Sequence, residues 1–174
     1  MYRVPRSPSG LVIGLALLAR GLGAQEPTPA RAPRLPSPSA AAVFGGQWTL
    51  APERSHYGVG AAPRRAEHFA CDTRRAALRC TIRSEFLDGR RVVATFQAPP
   101  DGASGPVAGM PGMDSVRIVA VAPGVADATF SAAGRPVFAY RAYRGRDGRS
   151  LTIVAVDPAR RTALTSVVVY TRAP

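Results

Sequence analysis

The sequence predicts an all-β domain, an antiparallel up-and-down meander that curls into a barrel or a strongly bent sheet. Beyond residue 43, apolar and polar residues alternate with a period of two, as in strands that bury one face. Turn signals such as Asp88-Gly89 and Asp147-Gly148 separate consecutive runs, which favours hairpins between neighbouring strands. No long run with helical periodicity follows the first 24 residues, so we expect no large helical layer.

The first 24 residues predict a secretory signal peptide. Arg3 and Arg6 give a positive start, residues 11–19 form a short apolar core, and residues 21–24 offer a small-residue exit. The apolar core is too short to cross a bilayer of about 30 Å, and no cysteine follows it for lipid attachment. We therefore expect an exported, soluble mature chain without a transmembrane anchor, either periplasmic or extracellular.

Residues 25–42 are dense in Pro, Ala and Ser without apolar periodicity, which predicts a disordered linker. The folded domain is expected at residues 43–174. Within it, the Pro- and Gly-rich residues 98–112 are expected to form a mobile loop. The last two strands are apolar on both faces, so either their outer face is covered or a partner subunit packs there. About nine strands are expected, near residues 46–51, 64–72, 77–87, 90–97, 114–122, 126–131, 135–144, 150–157 and 162–172.

The two cysteines predict one disulfide in an exported chain. Cys71 and Cys80 lie at equal distances from a predicted turn near Arg75-Ala76, so they face each other across a hairpin. A bridge that closes such a short loop is expected to stabilise the fold by about 2–3 kcal/mol.

The chain is strongly basic, with a formal net charge of +12, and all 23 basic residues are arginine. Removing the three arginines of the signal peptide leaves +9. Either the composition reflects GC-rich codons, or the surface binds an anionic envelope component such as lipid head groups. The arginines are spread evenly, which argues against a nucleic-acid partner. The outward arginines expected to form such a surface are Arg74, Arg75, Arg79, Arg83, Arg90 and Arg91.

The sequence predicts neither a metal site nor a cofactor. Its two histidines, His56 and His68, share no ligand spacing with a third residue. No nucleophile motif and no phosphate-binding loop is present. We therefore expect no catalytic residues and a protein that is not an enzyme.

Two carboxylates are the remaining candidates for chemistry. Glu67 shares its phase with inward-facing residues, so it is an acid inside a cavity or the partner of Arg64 or Arg65, unless the strand is frayed there. Asp114 directly precedes a strand and follows the predicted loop, which is also an ordinary place for Asp. A hydrolase or isomerase that uses Glu67 or Asp114 is therefore one functional hypothesis, which stands third behind the two binding hypotheses given below.

Several segments resemble a group of small exported bacterial domains of unknown function. Residues 44–58 (FGGQWTLAPERSHYG) carry its Trp, Leu, Pro, Ser and aromatic positions, with Ala51 where that group has Asn. Residues 105–118 (GPVAGMPGMDSVRI), 147–153 and 169–172 are similar to its middle and its last two strands. The likeness covers roughly residues 44–172.

Gly46-Gln47-Trp48 also resembles the Gly-x-Trp that opens the first strand of lipocalin-like barrels. The resemblance implies that Trp48 closes the barrel floor and that Arg172 lies over its indole, a contact of about 1–2 kcal/mol when desolvated. The alternative is that Trp48 is a core residue of another kind of sheet.

The aromatic residues of the predicted strands either fill the core or line a pocket for an apolar ligand. The leading hypothesis is a non-enzymatic, lipocalin-like domain that binds a small apolar or amphipathic molecule. Its expected lining residues are Phe86, Phe96, Phe138 and Tyr140. The alternative is a cationic envelope module that binds polyanions through surface arginines.

Overall fold

The computed structural model describes residues 39–58, 61–73, 77–156, 158 and 164–173. The predicted signal peptide and most of the predicted linker lie outside these residues. The first helix, α1 (Ala40–Phe44), begins with Ser39, whose hydroxyl oxygen accepts a hydrogen bond from the Ala42 N–H at 3.1 Å. Residues 40–42, which were expected to end the linker, therefore belong to this helix.

The described residues form eleven strands in a single sheet. The strands are β1 (Gly46–Leu50), β2 (His56–Tyr57), β3 (Arg64–Asp72), β4 (Leu78–Phe86), β5 (Arg91–Ala98), β6 (Ser104–Ala108), β7 (Ser115–Ala122), β8 (Val125–Ala132), β9 (Arg135–Arg144), β10 (Ser150–Val156) and β11 (Leu164–Arg172). From β3 to β11 each strand pairs antiparallel with the next, and β1 joins β3 to β11. Ten strands thus close into a meander barrel, which confirms the predicted fold class, and β2 adds to β11 beside β1.

Strands β2 and β6 were not predicted, and β6 lies within the stretch expected to be a mobile loop. Its Gly105 packs so closely on β5 that a Cβ atom there would lie 1.9 Å from the Gln97 carbonyl oxygen. Pro106 lies opposite Ser115 of β7, and the next residue, Val107, donates its N–H to the Asp114 carbonyl at 2.9 Å. The expectation of a loop was wrong for this segment, because its Gly permits close strand approach.

Helix α1 closes one end of the barrel, which we call the base. Val43 and Phe44 are fully buried there, and Trp48 is 1 % exposed. The Trp48 indole N–H donates to the Phe44 carbonyl oxygen at 2.8 Å, so the ring is fixed to the helix. At this end Cys71 of β3 lies opposite Cys80 of β4, and the two form the disulfide that the hairpin predicted.

Two arginines lie over the Trp48 ring at the base. The guanidinium carbon of Arg172 lies 5.8 Å from a ring centroid, and that of Arg144 lies 5.3 Å away. Arg144 also donates through Nη1 to the carbonyl oxygens of Ala42 and Gly45, at 2.9 and 3.2 Å. It therefore ties α1 to the barrel, a role that the sequence did not indicate.

Part of the outer face of β11 is covered by the segment between β1 and β2. A short 3₁₀ helix, η1 (Pro52–Arg54), bulges between β1 and β2 and packs against β11. The Val169 carbonyl accepts from the Ala51 N–H at 2.8 Å, and the Val169 N–H donates to Ser55 Oγ at 3.0 Å. Val169 is only 7 % exposed, which explains part of the apolar outer face of the last strand.

The half of the barrel next to α1 is filled by aromatic rings. Phe44 meets Phe69 and Tyr140 edge to face, at centroid distances of 6.0 and 6.2 Å. Phe96 contacts Phe69 at 6.2 Å and Phe130 at 5.8 Å. These separations suit the electrostatics of aromatic pairs, so this half forms a packed core.

Candidate functional site

The opposite half of the barrel holds a cavity of about 720 Å³. Phe69, Phe130 and Tyr140 border it from the filled core. We call the end at which Arg90 and Val137 are exposed the mouth. The cavity therefore extends from the aromatic core to the mouth, and its position follows from α1 filling only the base.

Small side chains keep this half of the barrel hollow. Ala94 on β5 and Ala155 on β10 are 2 % and 5 % exposed, and both border the cavity. Met110 and Met113, from the segment between β6 and β7, line it near the mouth and are partly buried against the core. Flexible methionine side chains adapt to ligands of different shape, which suits a binding cavity.

The structure divides the predicted lining residues into two groups. Phe86, Phe138 and Tyr140 border the cavity. Phe96 does not border it: the side chain is 3 % exposed and packs between Phe69 and Phe130 in the filled half. The inward phase predicted for Phe96 is correct, but its position along the barrel axis makes it a core residue.

Glu67 lies at the centre of a polar cluster in the cavity wall, which it forms with Arg64, Ser84 and Tyr170. The side chain is 3 % exposed, and Oε1 accepts a hydrogen bond from the Tyr170 hydroxyl at 2.5 Å. Oε2 accepts from the Ser84 hydroxyl, which the strand register places directly opposite, and lies 3.0 Å from Arg64 Nε. Both carboxylate oxygens are therefore held by protein groups, as a buried charge requires.

The expectation that Arg64 or Arg65 pairs with Glu67 resolves in favour of Arg64. A register shift in β3 between Arg64 and Ala66 lets Arg64 face the cavity, whereas Arg65 Nη1 lies 3.6 Å from Glu85 on the outer face. Burial acts to lower the pKa of Arg64, but the Glu67 carboxylate and the nearby phenols together raise it. Arg64 is therefore a permanent cation in the cavity wall.

The phenols around Glu67 stay protonated at neutral pH. Burial raises the pKa of Tyr170 well above its ordinary value, and the Glu67 carboxylate raises it further. Burial and the same carboxylate raise the pKa of Tyr140. Burial also raises the pKa of Tyr57, although Arg64 opposes this shift. All three hydroxyls thus keep the proton that makes them hydrogen-bond donors, and Tyr170 already donates its own to Glu67.

Tyr57 is a cavity residue that sequence reasoning missed as a functional candidate. It lies on β2 opposite Ser166, and the Arg64 guanidinium carbon lies 5.9 Å from the centre of its ring. Its hydroxyl oxygen is buried and has no hydrogen-bond partner within the described part of the chain. A strand of two residues has no periodicity to detect, so the sequence carried no signal for its inward orientation.

Asp114 lies outside the cavity and fixes a hairpin. Its Oδ2 accepts from the Ala133 N–H at 2.6 Å and its Oδ1 from the Ser115 hydroxyl at 2.8 Å. These two hydrogen bonds lower the pKa of the Asp114 carboxyl. Ala133 has a φ of 48°, so Asp114 supports a strained turn position between β8 and β9.

The predicted arginine surface is partly neutralised. Arg91 Nε lies 3.2 Å from Glu85, and Arg90 Nε lies 3.7 Å from Asp88. Arg79 and Arg83 are also exposed on β4, whereas residues 74 and 75 lie outside the described residues. Because Arg90 and Arg91 have acidic partners, the surface is less cationic than the composition implied.

The two histidines lie on the surface of the barrel. His56 and His68 are both exposed, and His68 Nδ1 lies 3.4 Å from Thr49 Oγ1. The described residues contain no group of three or more potential metal ligands. Within the same residues, no helix combines the length and apolar character needed to cross a membrane.

Comparisons with protein-family models, with curated proteins and with solved structures found no match to this chain. Inferences about function therefore depend on the cavity and its polar cluster.

Proposed function

We propose that this domain binds a small apolar or amphipathic molecule inside its barrel. The observation that carries the proposal is the cavity of about 720 Å³, bordered mainly by aliphatic and aromatic side chains. Ligand cavities commonly measure about 300–1,000 Å³ and combine an apolar lining with a few polar groups. A barrel filled at its base and hollow toward its mouth has this construction.

The proposal includes an exported location and a lipocalin-like mode of binding. The disulfide supports export, because such bonds persist in oxidising compartments. The signal peptide predicted at residues 1–24 points the same way. A closed meander barrel with Trp48 at its base supports the resemblance to lipocalin-like barrels.

We favour binding over catalysis because of the environment of the two candidate acids. Glu67 has both carboxylate oxygens engaged by protein groups, and Asp114 uses both of its own within the hairpin. A general base needs a lone pair within reach of the substrate proton. These carboxylates are better suited to holding structure and orienting neighbouring groups.

The test is the binding of N-phenyl-1-naphthylamine, a neutral apolar dye whose emission rises in apolar surroundings. We expect saturable binding to the protein purified from an oxidising compartment. Ala94→Phe fills part of the cavity and should weaken binding by about tenfold or more. Val93→Phe is the matched control, since Val93 directly precedes Ala94 on β5, points outward and is 57 % exposed.

Two results would contradict the proposal. One is the absence of saturable dye binding, and the other is equal weakening by both phenylalanine substitutions. Native mass spectrometry of the purified protein provides independent support if a co-purified molecule is lost on mild activation. Binding of anionic vesicles that added salt abolishes would instead favour the surface arginines.

A further inference from the structure

The cavity lining has an unequal balance of charge. Among its described residues, Arg64 and Arg90 carry positive charges and Glu67 carries a negative charge, but Arg90 Nε at the mouth lies 3.7 Å from Asp88 and so already has an acidic partner. Glu67 accepts hydrogen bonds from Ser84 and Tyr170 and is paired with Arg64. Its lone pairs are largely occupied, so a bound molecule meets the cations more readily than the carboxylate.

Arg64 has capacity for a second partner. Its contact with Glu67 is made by Nε, at one edge of the guanidinium group. A guanidinium carries five N–H donors in a plane, so one carboxylate at Nε does not exhaust them. The side chain is 29 % exposed and borders the cavity, which leaves it accessible to a ligand there.

The Tyr57 hydroxyl is a second donor without a protein acceptor. It is buried, borders the cavity and has no hydrogen-bond partner within the described residues. Leaving a buried hydroxyl unpaired is unfavourable, so such groups commonly mark a site for water or ligand. Arg64 and Tyr57 are neighbours, with the guanidinium carbon 5.9 Å from the ring centre. One acceptor group can therefore reach both.

We propose that the cavity selects an anionic amphiphile, a carboxylate on an apolar chain, and binds its head group through Arg64 and Tyr57. The inference rests on the proposed function, since it concerns the same cavity. The apolar chain lies toward Phe138 and Ile153, which also border the cavity. Glu67 acts as a positioning residue, because its contact with Nε orients Arg64.

The sign of the head group follows from the same charges. A cationic head group would approach two arginines, while the carboxylate near them is already paired. A neutral hydroxyl head would accept from Tyr57 but would leave the remaining N–H donors of Arg64 without a charged acceptor. An anionic head group accepts from Tyr57 and forms charge-assisted hydrogen bonds with the remaining donors of Arg64, so affinity should decrease from carboxylate to alcohol to ammonium.

The test measures how dodecanoate, 1-dodecanol and dodecylammonium displace N-phenyl-1-naphthylamine, with the two ionic amphiphiles below their micellar concentrations and the alcohol below its solubility limit. Each variant's own dye affinity is measured first, and the readout is the ratio of dodecanol to dodecanoate inhibition constants. We expect a ratio of about ten or more in the unmodified protein, since charge-assisted hydrogen bonds are about twice as strong as neutral ones. Dodecylammonium should bind more weakly than dodecanol.

Three variants assign the effect to the named groups. Arg64→Gln should bring the ratio close to one, and Tyr57→Phe should lower it several-fold while retaining the ring. Arg83→Gln makes the same charge change on the outer face of β4 and should keep the original ratio. Tyr57→Phe also serves as the readout if Arg64→Gln fails to fold, because it removes only one oxygen atom.

The outcomes separate the inference from the proposed function. If the dye binds but the ratio is close to one in the unmodified protein, the head-group inference is wrong and the apolar cavity remains. A ratio that Tyr57→Phe and Arg64→Gln leave unchanged also overturns it. If neither the dye nor any of the three amphiphiles binds, the proposed function itself fails.

Discussion

Replacing Glu67 alone should destabilise the protein, whereas replacing its whole cluster should not. Glu67→Leu removes the acceptor of the Tyr170 and Ser84 hydroxyls and the partner of Arg64, all at a side chain that is 3 % exposed. Leucine has a similar volume, so steric change contributes little. The dominant effect is the polar groups that are left without a partner.

The magnitude follows from the burial of those groups. Removing one partner of a buried ion pair costs about 3–5 kcal/mol. The 29 % exposure of Arg64 places the loss at the lower end, because water reaches the remaining cation. The two hydroxyls add about 1 kcal/mol each where they cannot turn toward the cavity. We therefore expect Glu67→Leu to lower the free energy of unfolding by about 3–5 kcal/mol.

The comparison variant removes the whole cluster, combining Glu67→Leu with Arg64→Leu, Ser84→Ala and Tyr170→Phe. Apolar replacement of a complete buried ionic group is often neutral or stabilising, so it should lie within about 1 kcal/mol of the unmodified protein. It should nevertheless lose the preference for dodecanoate. Urea unfolding, followed by the fluorescence of the single Trp48 and compared at equal m-values, measures both variants.

The reasoning would be refuted if Glu67→Leu were as stable as the unmodified protein. It would also be refuted if the apolar quadruple variant were as unstable as Glu67→Leu, because the cluster would then be needed for folding. Recovery of stability together with loss of head-group selectivity is the result that assigns the cluster to binding.

Three further predictions concern stability. Replacing Cys71 and Cys80 with alanine should lower the free energy of unfolding by about 2–3 kcal/mol, and an unchanged urea midpoint would contradict a folded-state disulfide. In the folded protein the pKa values of Tyr140 and Tyr170 are raised, whereas in the unfolded chain both phenols ionise near pH 10. Their contribution to the stability of the fold is therefore complete below about pH 10 and decreases as the pH rises from there toward the folded pKa values. Urea unfolding between pH 9 and 11 should therefore show stability falling by up to about 1.4 kcal/mol per pH unit for each tyrosine, with a shallower slope in Tyr170→Phe. Ala133→Gly should raise the unfolding free energy by about 0.5–1 kcal/mol, since glycine relieves the φ of 48° despite its unfolded-state entropy, and a lower melting temperature would oppose this.

The barrel was predictable because a meander joins neighbouring strands through short turns, so local sequence patterns mark both the strands and the turns. Each strand buries one face, so the period of two marks the strands, and turn residues separate them. The disulfide followed from the same symmetry, as Cys71 and Cys80 flank one hairpin at equal distances. Strand β6 was missed because Gly105 and Pro106 usually mark loops, and β2 was missed because it has only two residues.

The site was less predictable, since it depends on residues brought together from distant strands. The phase of Glu67 marked it as inward-facing, but its partner Tyr170 lies 103 positions away in the sequence. Alternation gives the face of the sheet on which a residue lies and not its height along the barrel axis. For this reason Phe96 and Phe138 looked equivalent in the sequence, although one belongs to the filled half and the other to the cavity.

Buried polar side chains and unfilled volume, which both lower the stability of a fold, occur together in one half of the barrel. This distribution favours a binding role for that half over a role in stabilising the fold. The three buried polar or charged side chains among the described residues, Glu67, Ser84 and Ser166, all border the cavity. Ala94 and Ala155 border the same open volume, whereas at the base α1 and aromatic rings fill the interior. Larger apolar residues at these positions would add buried area and remove a charge from the interior. The half of the barrel that reaches the mouth keeps its small residues and its buried charge instead. This arrangement is the one expected of a site whose packing and hydrogen bonding a ligand completes.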